Sequence, residues 1–256
     1  MKIAVCVKHV PTGTLRLLPD SHRLDRSGPG ELNACDRNAI EEALLIKANA
    51  GGDVVVVSMG PDAATESLRT ALAMGADRAV LISDAAAAGA DLVATSNVLA
   101  KTLARENADL VLFGQQANDG SGAVLWAAVA DRLRLPFVSQ AASIALNDGS
   151  VRVTRETEFG DDVIDAQLPA VVSVSDTINE PRYTSLKGMM GAKKKPLDVV
   201  TLADLGLNGS SGGDGGSQTE VRAVAKPSGR ANSVKVVDDG NAAQTIVDYL
   251  ADKQLV

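Results

Sequence analysis

The chain has 256 residues, 45% of them hydrophobic and 2% aromatic, and a formal net charge of −7. That length suits one large domain or two small ones around a sizeable core, and the acidic balance argues against a nucleic-acid surface. No stretch approaches the roughly 18 apolar residues of a membrane span, and the first residues lack the pattern of a secretory leader, so a cytoplasmic protein with reduced thiols is expected.

In chain order, "KIAVCVK" (2–8) alternates as a strand, which makes Cys6 a buried thiol. Residues 35–52 repeat apolar positions at helical spacing, through Ile40, Ala43 and Leu44, and stop at two glycines. "DVVVVSMG" (53–60) is a β-branched run of the kind buried on both faces of a sheet. A helix over 62–76 ending at Gly75, a strand over 78–83, a helix over 91–106, a strand over 108–114 and a helix over 121–133 follow. Strands alternating with helices of this length predict right-handed crossovers and a doubly wound, parallel α/β sheet. Residues 136–175 change period, with Asp148-Gly149 as a hairpin signal, and predict an antiparallel addition that ends in the buried strand "PAVVSVS".

The last quarter reads differently. "NGSSGGDGGSQT" (208–219) has the composition of a flexible stretch. The tail returns to helix, with Ala243, Ile246, Val247 and Leu250 on one face, and either folds back on its own domain or docks on another chain. The expected division is 1–207 as the α/β domain, 208–237 as linker and 238–256 as a tethered helical arm.

Ligands of open parallel sheets bind beyond the carboxyl ends of the strands. Four loops qualify: "KHVPTGT", "GPGELNACD" with the N-cap types Asn33 and Asp36, "SMGPDAAT", and "GQQANDGSG". The last is the most informative. Gly114, Gly120 and Gly122 allow close backbone approach, and a helix starting near Ser121 would aim free N–H groups at a phosphate. A plain strand–helix loop accounts for the same residues, since neither a P-loop nor a G-x-G-x-x-G pattern is present. His9 and His22 are isolated, and Cys6 and Cys35 show no metal-ligand spacing, so no metal site is expected. With so few aromatics the chain is a poor holder of a flavin ring, and a nucleotide without chemistry fits better.

"NEPRYTSLKGMMGAKKK" (179–195) opens on a turn, sets a leucine between polar residues, and continues with two methionines and three lysines. This segment, within "DAQLPAVVSVSDTINEPRYTSLKGMMGAKKKPLDVVTLADLGL", together with "TALAMGADRAV" and "VTRETEFGDD", resembles the beta subunit of electron transfer flavoprotein. The resemblance covers most of the chain, and it implies that the doubly wound sheet is of the adenine nucleotide-binding type. It implies an electron carrier without catalytic residues of its own, paired with an alpha subunit that holds the redox-active FAD. Electrons would pass from flavin dehydrogenases, such as acyl-CoA dehydrogenases, to a membrane-bound quinone oxidoreductase or another acceptor. It makes 179–195 a recognition loop in which Leu186 enters a pocket on the dehydrogenase, Met189 and Met190 adapt to several partners, and Lys193, Lys194 and Lys195 steer acidic surfaces. It implies AMP at Cys6, Asn33, Met59, Asp119, Gly120, Ser121, Gly122, Ala123 and Val124, and a tail helix clasping the alpha subunit. Two departures stand out. Many members carry an acidic loop followed by Asn-Gln-Thr-Gly, whereas "NDGSGAVLW" is shorter and offers backbone amides instead. Residues 11–15 lack the aromatic that leans on the flavin in some members. A bifurcating relative with a second FAD in the AMP site, and a stand-alone nucleotide-binding regulatory domain, are the alternative readings.

Overall fold

The computed structural model describes residues 1–225, 227–229 and 235–256, so part of the expected linker lies outside the described residues. They fall into two compact units, Met1–Val221 and Arg222–Val256.

The first unit is built in the order β1 (Lys2–Cys6), β2 (His9–Pro11), β3 (Gly30–Leu32), α1 (Ala34–Ala50), β4 (Asp53–Met59), α2 (Ala64–Met74), β5 (Arg78–Ile82), α3 (Leu92–Glu106) and β6 (Leu110–Gly114). It continues with α4 (Leu125–Leu133), β7 (Phe137–Asn147), β8 (Ser150–Thr157), β9 (Gly160–Gln167), β10 (Ala170–Val174), α5 (Leu186–Ala192), β11 (Leu197–Val200) and α6 (Gly209–Gly212). Nine strands form one sheet in the order β11-β5-β4-β1-β6-β10-β7-β8-β9, while β2 and β3 pair separately. Neighbours from β11 to β7 are parallel, and β7, β8 and β9 form the expected antiparallel addition.

The doubly wound arrangement follows from which faces are apolar. In β4, Val54 and Val56 pack in the layer of α1 and α2, whereas Val55 and Val57 pack in the layer of α3 and α4. A central strand therefore has no polar face, which is why its sequence reads as an unbroken valine run. The helices present matching stripes: Leu68 and Leu72 of α2 are fully buried, each contributing about 1.5–3 kcal/mol. The Asp91 carboxylate caps α3 by accepting from the Ala94 amide at 3.0 Å, and Asn107 ends that helix in the left-handed conformation.

Two expectations are corrected. The helix expected from Ser121 begins at Leu125, because Ser121 (φ 44°) and Ala123 (φ 47°) adopt left-handed backbone and break its first turn. Residues 208–217, expected as linker, are packed on the first unit. Asn208 and Ser211 form a capping box on α6, and Asn97 of α3 donates to the Ser211 carbonyl at 2.9 Å. A Cβ at Gly213 would collide with the Ala86 carbonyl, so glycine here serves close packing rather than flexibility.

The second unit contains α7 (Ala242–Asp252), preceded by a turn in which the Asp238 carboxylate accepts from the Gly240 amide at 2.8 Å. No helix among the described residues is long and apolar enough to cross a membrane.

Candidate functional sites: a crevice and a docking segment

From β1 the chain winds outward through β4 to β5, then returns to β6 on the other side of β1. The loops leaving β1 and β6 diverge at this reversal and open a crevice beyond the carboxyl ends of the strands. Cys6, Met59 and Gly114 end the three central strands there.

Side chains from before and within α1 shape its walls. Asn33, almost fully buried, donates through Nδ2 to the Gln116 carbonyl at 2.9 Å and accepts through Oδ1 from the Asn118 amide at 3.0 Å. The Asp36 carboxylate accepts from the Lys8 amide at 2.8 Å and lies against Gly114, where any Cβ would fall on it. Burial raises the Asp36 pKa to about 7, against the opposing hydrogen bond from Lys8. Burial, with the Asp36 charge, also pushes the Cys6 thiol up, so Cys6 is wall rather than nucleophile.

Asp119 does not face the crevice as a free acid. Its buried carboxylate binds Lys8 Nζ at 2.8 Å and the Arg26 guanidinium. Burial alone would raise its pKa, but the hydrogen bonds and charges of Lys8 and Arg26 outweigh burial and hold it below the ordinary value. Beyond it, the Gly120 and Ser121 amides turn back to the Ala117 carbonyl. The amides of Gly122, Ala123, Val124 and Leu125 find no acceptor among the described residues. Nothing stands within 4 Å of where a Gly122 Cβ would be. Consecutive unpaired donors at the start of α4, two residues beyond the Gly120 against which the Lys8 ammonium lies, form a donor set that fits a phosphate.

His9, isolated in the sequence, meets Ser67 of α2 at 2.8 Å through Nδ1. A cavity of about 200 Å³ lies between Pro11, Thr14, Arg16 and Gly28. It is smaller than the ~300 Å³ lower end of ordinary ligand pockets, too small for a whole dinucleotide.

The docking segment is anchored at its base and open at its tip. Arg182 forms a bidentate pair with Glu41 of α1, at 2.7 and 2.8 Å, and its amide donates to the same carboxylate. Asn38 donates to the Asn179 carbonyl at 2.8 Å, and Asn179 returns a bond to the Asn38 carbonyl. At the far end, Arg69 of α2 donates to the carbonyls of Ala192 and Lys195. Ser185 caps α5 by accepting from the Gly188 amide at 3.0 Å, and Gly188 lies against the Ala73 carbonyl with no room for a Cβ.

Above this base Leu186 is 77% exposed and Met190 72%, with Met189 also exposed. Lys193 and Lys194 are exposed too. Lys195 is different: its ammonium donates to the Leu72 and Ala76 carbonyls at 3.0 and 2.6 Å, closing the end of α2, and burial lowers its pKa. It is a cap of α2 and not part of the exposed set. The sequence reading missed Lys8 and Arg26 at the crevice and Glu41 and Arg182 beneath the docking segment. For the last pair the available signal was two adjacent glutamates enclosed between Ile40 and Ala43 in an apolar run of α1, where burial calls for partners.

Fold and sites together define a doubly wound α/β protein with a crevice edged by unpaired backbone amides and a separate apolar tip on an anchored base. Residues 22–205 match the electron transfer flavoprotein domain family. The whole chain aligns with the whole of the caffeyl-CoA reductase-Etf complex subunit CarD of Acetobacterium woodii at 38% identity. It aligns with 99% of the electron transfer flavoprotein subunit beta of Mycobacterium leprae at 37%, and with all of that of Thermoanaerobacterium thermosaccharolyticum at 36%. The chain belongs to the electron transfer flavoprotein family, as a beta subunit.

Proposed function

We propose that this chain is the AMP-binding, partner-docking subunit of a heterodimeric electron transfer flavoprotein. The observation that carries the reading is the combination of four unpaired amides at residues 122–125 with an exposed leucine on an anchored base. The amides and Lys8 would hold the AMP phosphate, Cys6 and Met59 would line the nucleoside wall, and Asn33 and Asp119 would keep the loop in shape. FAD, mainly on the alpha subunit, supplies the redox chemistry. Leu186 and Met190 would enter a pocket on flavin dehydrogenases, while Lys193 and Lys194 orient the approach. Electrons would then leave for a quinone oxidoreductase or another acceptor. The amphipathic α7 would clasp the alpha subunit through its Ala243, Ile246, Val247 and Leu250 face.

The open space at Gly122 favours one second reading, in which a larger dinucleotide, a second FAD, occupies the same crevice. Cofactor content of the chain co-expressed with its alpha partner tests both. One FAD and one AMP released per heterodimer is the expected result, and two FAD without AMP selects the second reading. No stable heterodimer overturns both.

A further inference from the structure

Residues 12–29 leave the crevice rim and return to it, and the sequence gives them no evident task. They form a hairpin: Leu17 pairs with Leu24, the Leu18 amide donates to the Arg23 carbonyl at 2.7 Å, and the Asp25 amide donates to Arg16 at 2.8 Å. Arg26, at the base, holds Asp119 in the loop after β6. Arg23, near the tip, holds Asp214 at 2.6 Å, and the Asp214 amide is bonded to Ala88 in the loop after β5. Gly89 makes room for that pair, since a Cβ there would run into the Arg23 guanidinium.

These two anchors stand over β6 and β5, and between those strands lie β1 and β4. The hairpin therefore crosses the ends of the strands that carry Cys6 and Met59. We propose that it is a strap over the nucleotide crevice, latched at its tip by Arg23 and Asp214, and that the latch governs how fast nucleotide leaves. This rests on the AMP reading above.

The two anchors differ in strength. The Asp119 side chain is 1% exposed, so its pairs are shielded, whereas the Arg23 and Asp214 side chains are 48% and 73% exposed. An exposed pair holds weakly and is screened by salt. The tip opens first and the base acts as the pivot.

The test measures release of a fluorescent etheno-AMP from the full complex, chased with excess AMP. Arg23→Gln and Asp214→Asn, neither of them a nucleotide contact, are each expected to speed release about threefold, the range of one exposed ion pair. The double variant is expected to be no faster than either single one, because both remove the same contact. Unchanged release from variants that hold the nucleotide overturns the strap and leaves the AMP site standing. Additive effects in the double variant overturn the latch pairing. A wild-type complex that takes up no AMP overturns the nucleotide reading and the strap with it.

Discussion

The crevice loop and the docking segment follow neighbouring strands, β6 and β10, and both lean on α1, yet they expose opposite chemistry. In the loop after β6, side chains do the scaffolding: Asn33 fixes its start, Asp119 ties its middle, and the backbone amides of 122–125 are left over. In segment 179–195 the backbone is what gets tied down, by Arg69, Glu41 and Asn38, and side chains are left over. On the proposed function the difference is fitting: recognition of a phosphate needs donors of fixed direction, which backbone supplies, and docking to several proteins needs an apolar, adaptable tip, which Leu186 and the methionines would supply.

The contrast breaks most visibly at Asn33. Asn33→Ala removes two buried hydrogen bonds and leaves the Asn118 amide unpaired, a cost of about 2–3 kcal/mol. Titration calorimetry should show AMP affinity falling roughly fiftyfold, with dehydrogenase docking intact. Leu186→Ala is the reciprocal change. Loss of one buried leucine contact, about 2 kcal/mol, should lower kcat/KM with a dehydrogenase roughly thirtyfold while FAD and AMP content stay the same. An unchanged rate at sub-saturating dehydrogenase would remove Leu186 from the interface.

Arg182→Ala tests the base. It strands the buried Glu41 carboxylate, and urea unfolding should show a loss of about 1–2 kcal/mol, discounted for the partial exposure of the arginine. Burial opposes ionisation of Glu41, but the bonds and charge of Arg182 hold its pKa below the ordinary glutamate value. The stability this pair contributes is therefore present above the ordinary glutamate pKa and is lost as pH falls through the lowered one. The variant should lack that acid-side dependence. The smallest effect belongs to the lysines. Lys193→Gln or Lys194→Gln should slow association with a dehydrogenase about twofold to threefold at low salt and not at high salt. Lys195→Gln should leave association alone and instead lower the melting temperature, since its ammonium serves α2.

Much of the fold was legible because the signals are periodic. The valine run of β4, the glycine stops of α1 and α2, and the Asp148-Gly149 turn each carry their own structure locally. What stayed hidden depended on contacts distant in sequence. Glu41 and Arg182 are 141 residues apart, and nothing local to either names the other. Lys195 looks like its two neighbours in a lysine run, and only the approach of α2 separates it from them. The glycines of 209–216 have the composition of a linker, yet Gly213 stands where the Ala86 backbone passes too close for a side chain, and Gly212 where Leu202 and Val98 do. At the crevice, glycine content singled out the loop after β6, but the delayed start of α4 required the left-handed residues at Ser121 and Ala123 to be seen.

One feature of α1 carries a mechanical consequence. Asn33, just before its first turn, grips the crevice loop, and Glu41 and Glu42 grip the docking segment. Asn33 is the N-cap of that helix, whose rise is ~1.5 Å per residue, so ~13 Å of its axis separates the two grips. On the proposed function, the helix would then act as a ruler between nucleotide and docked partner. A slip of α1 against the sheet would move both marks together and preserve the spacing between them.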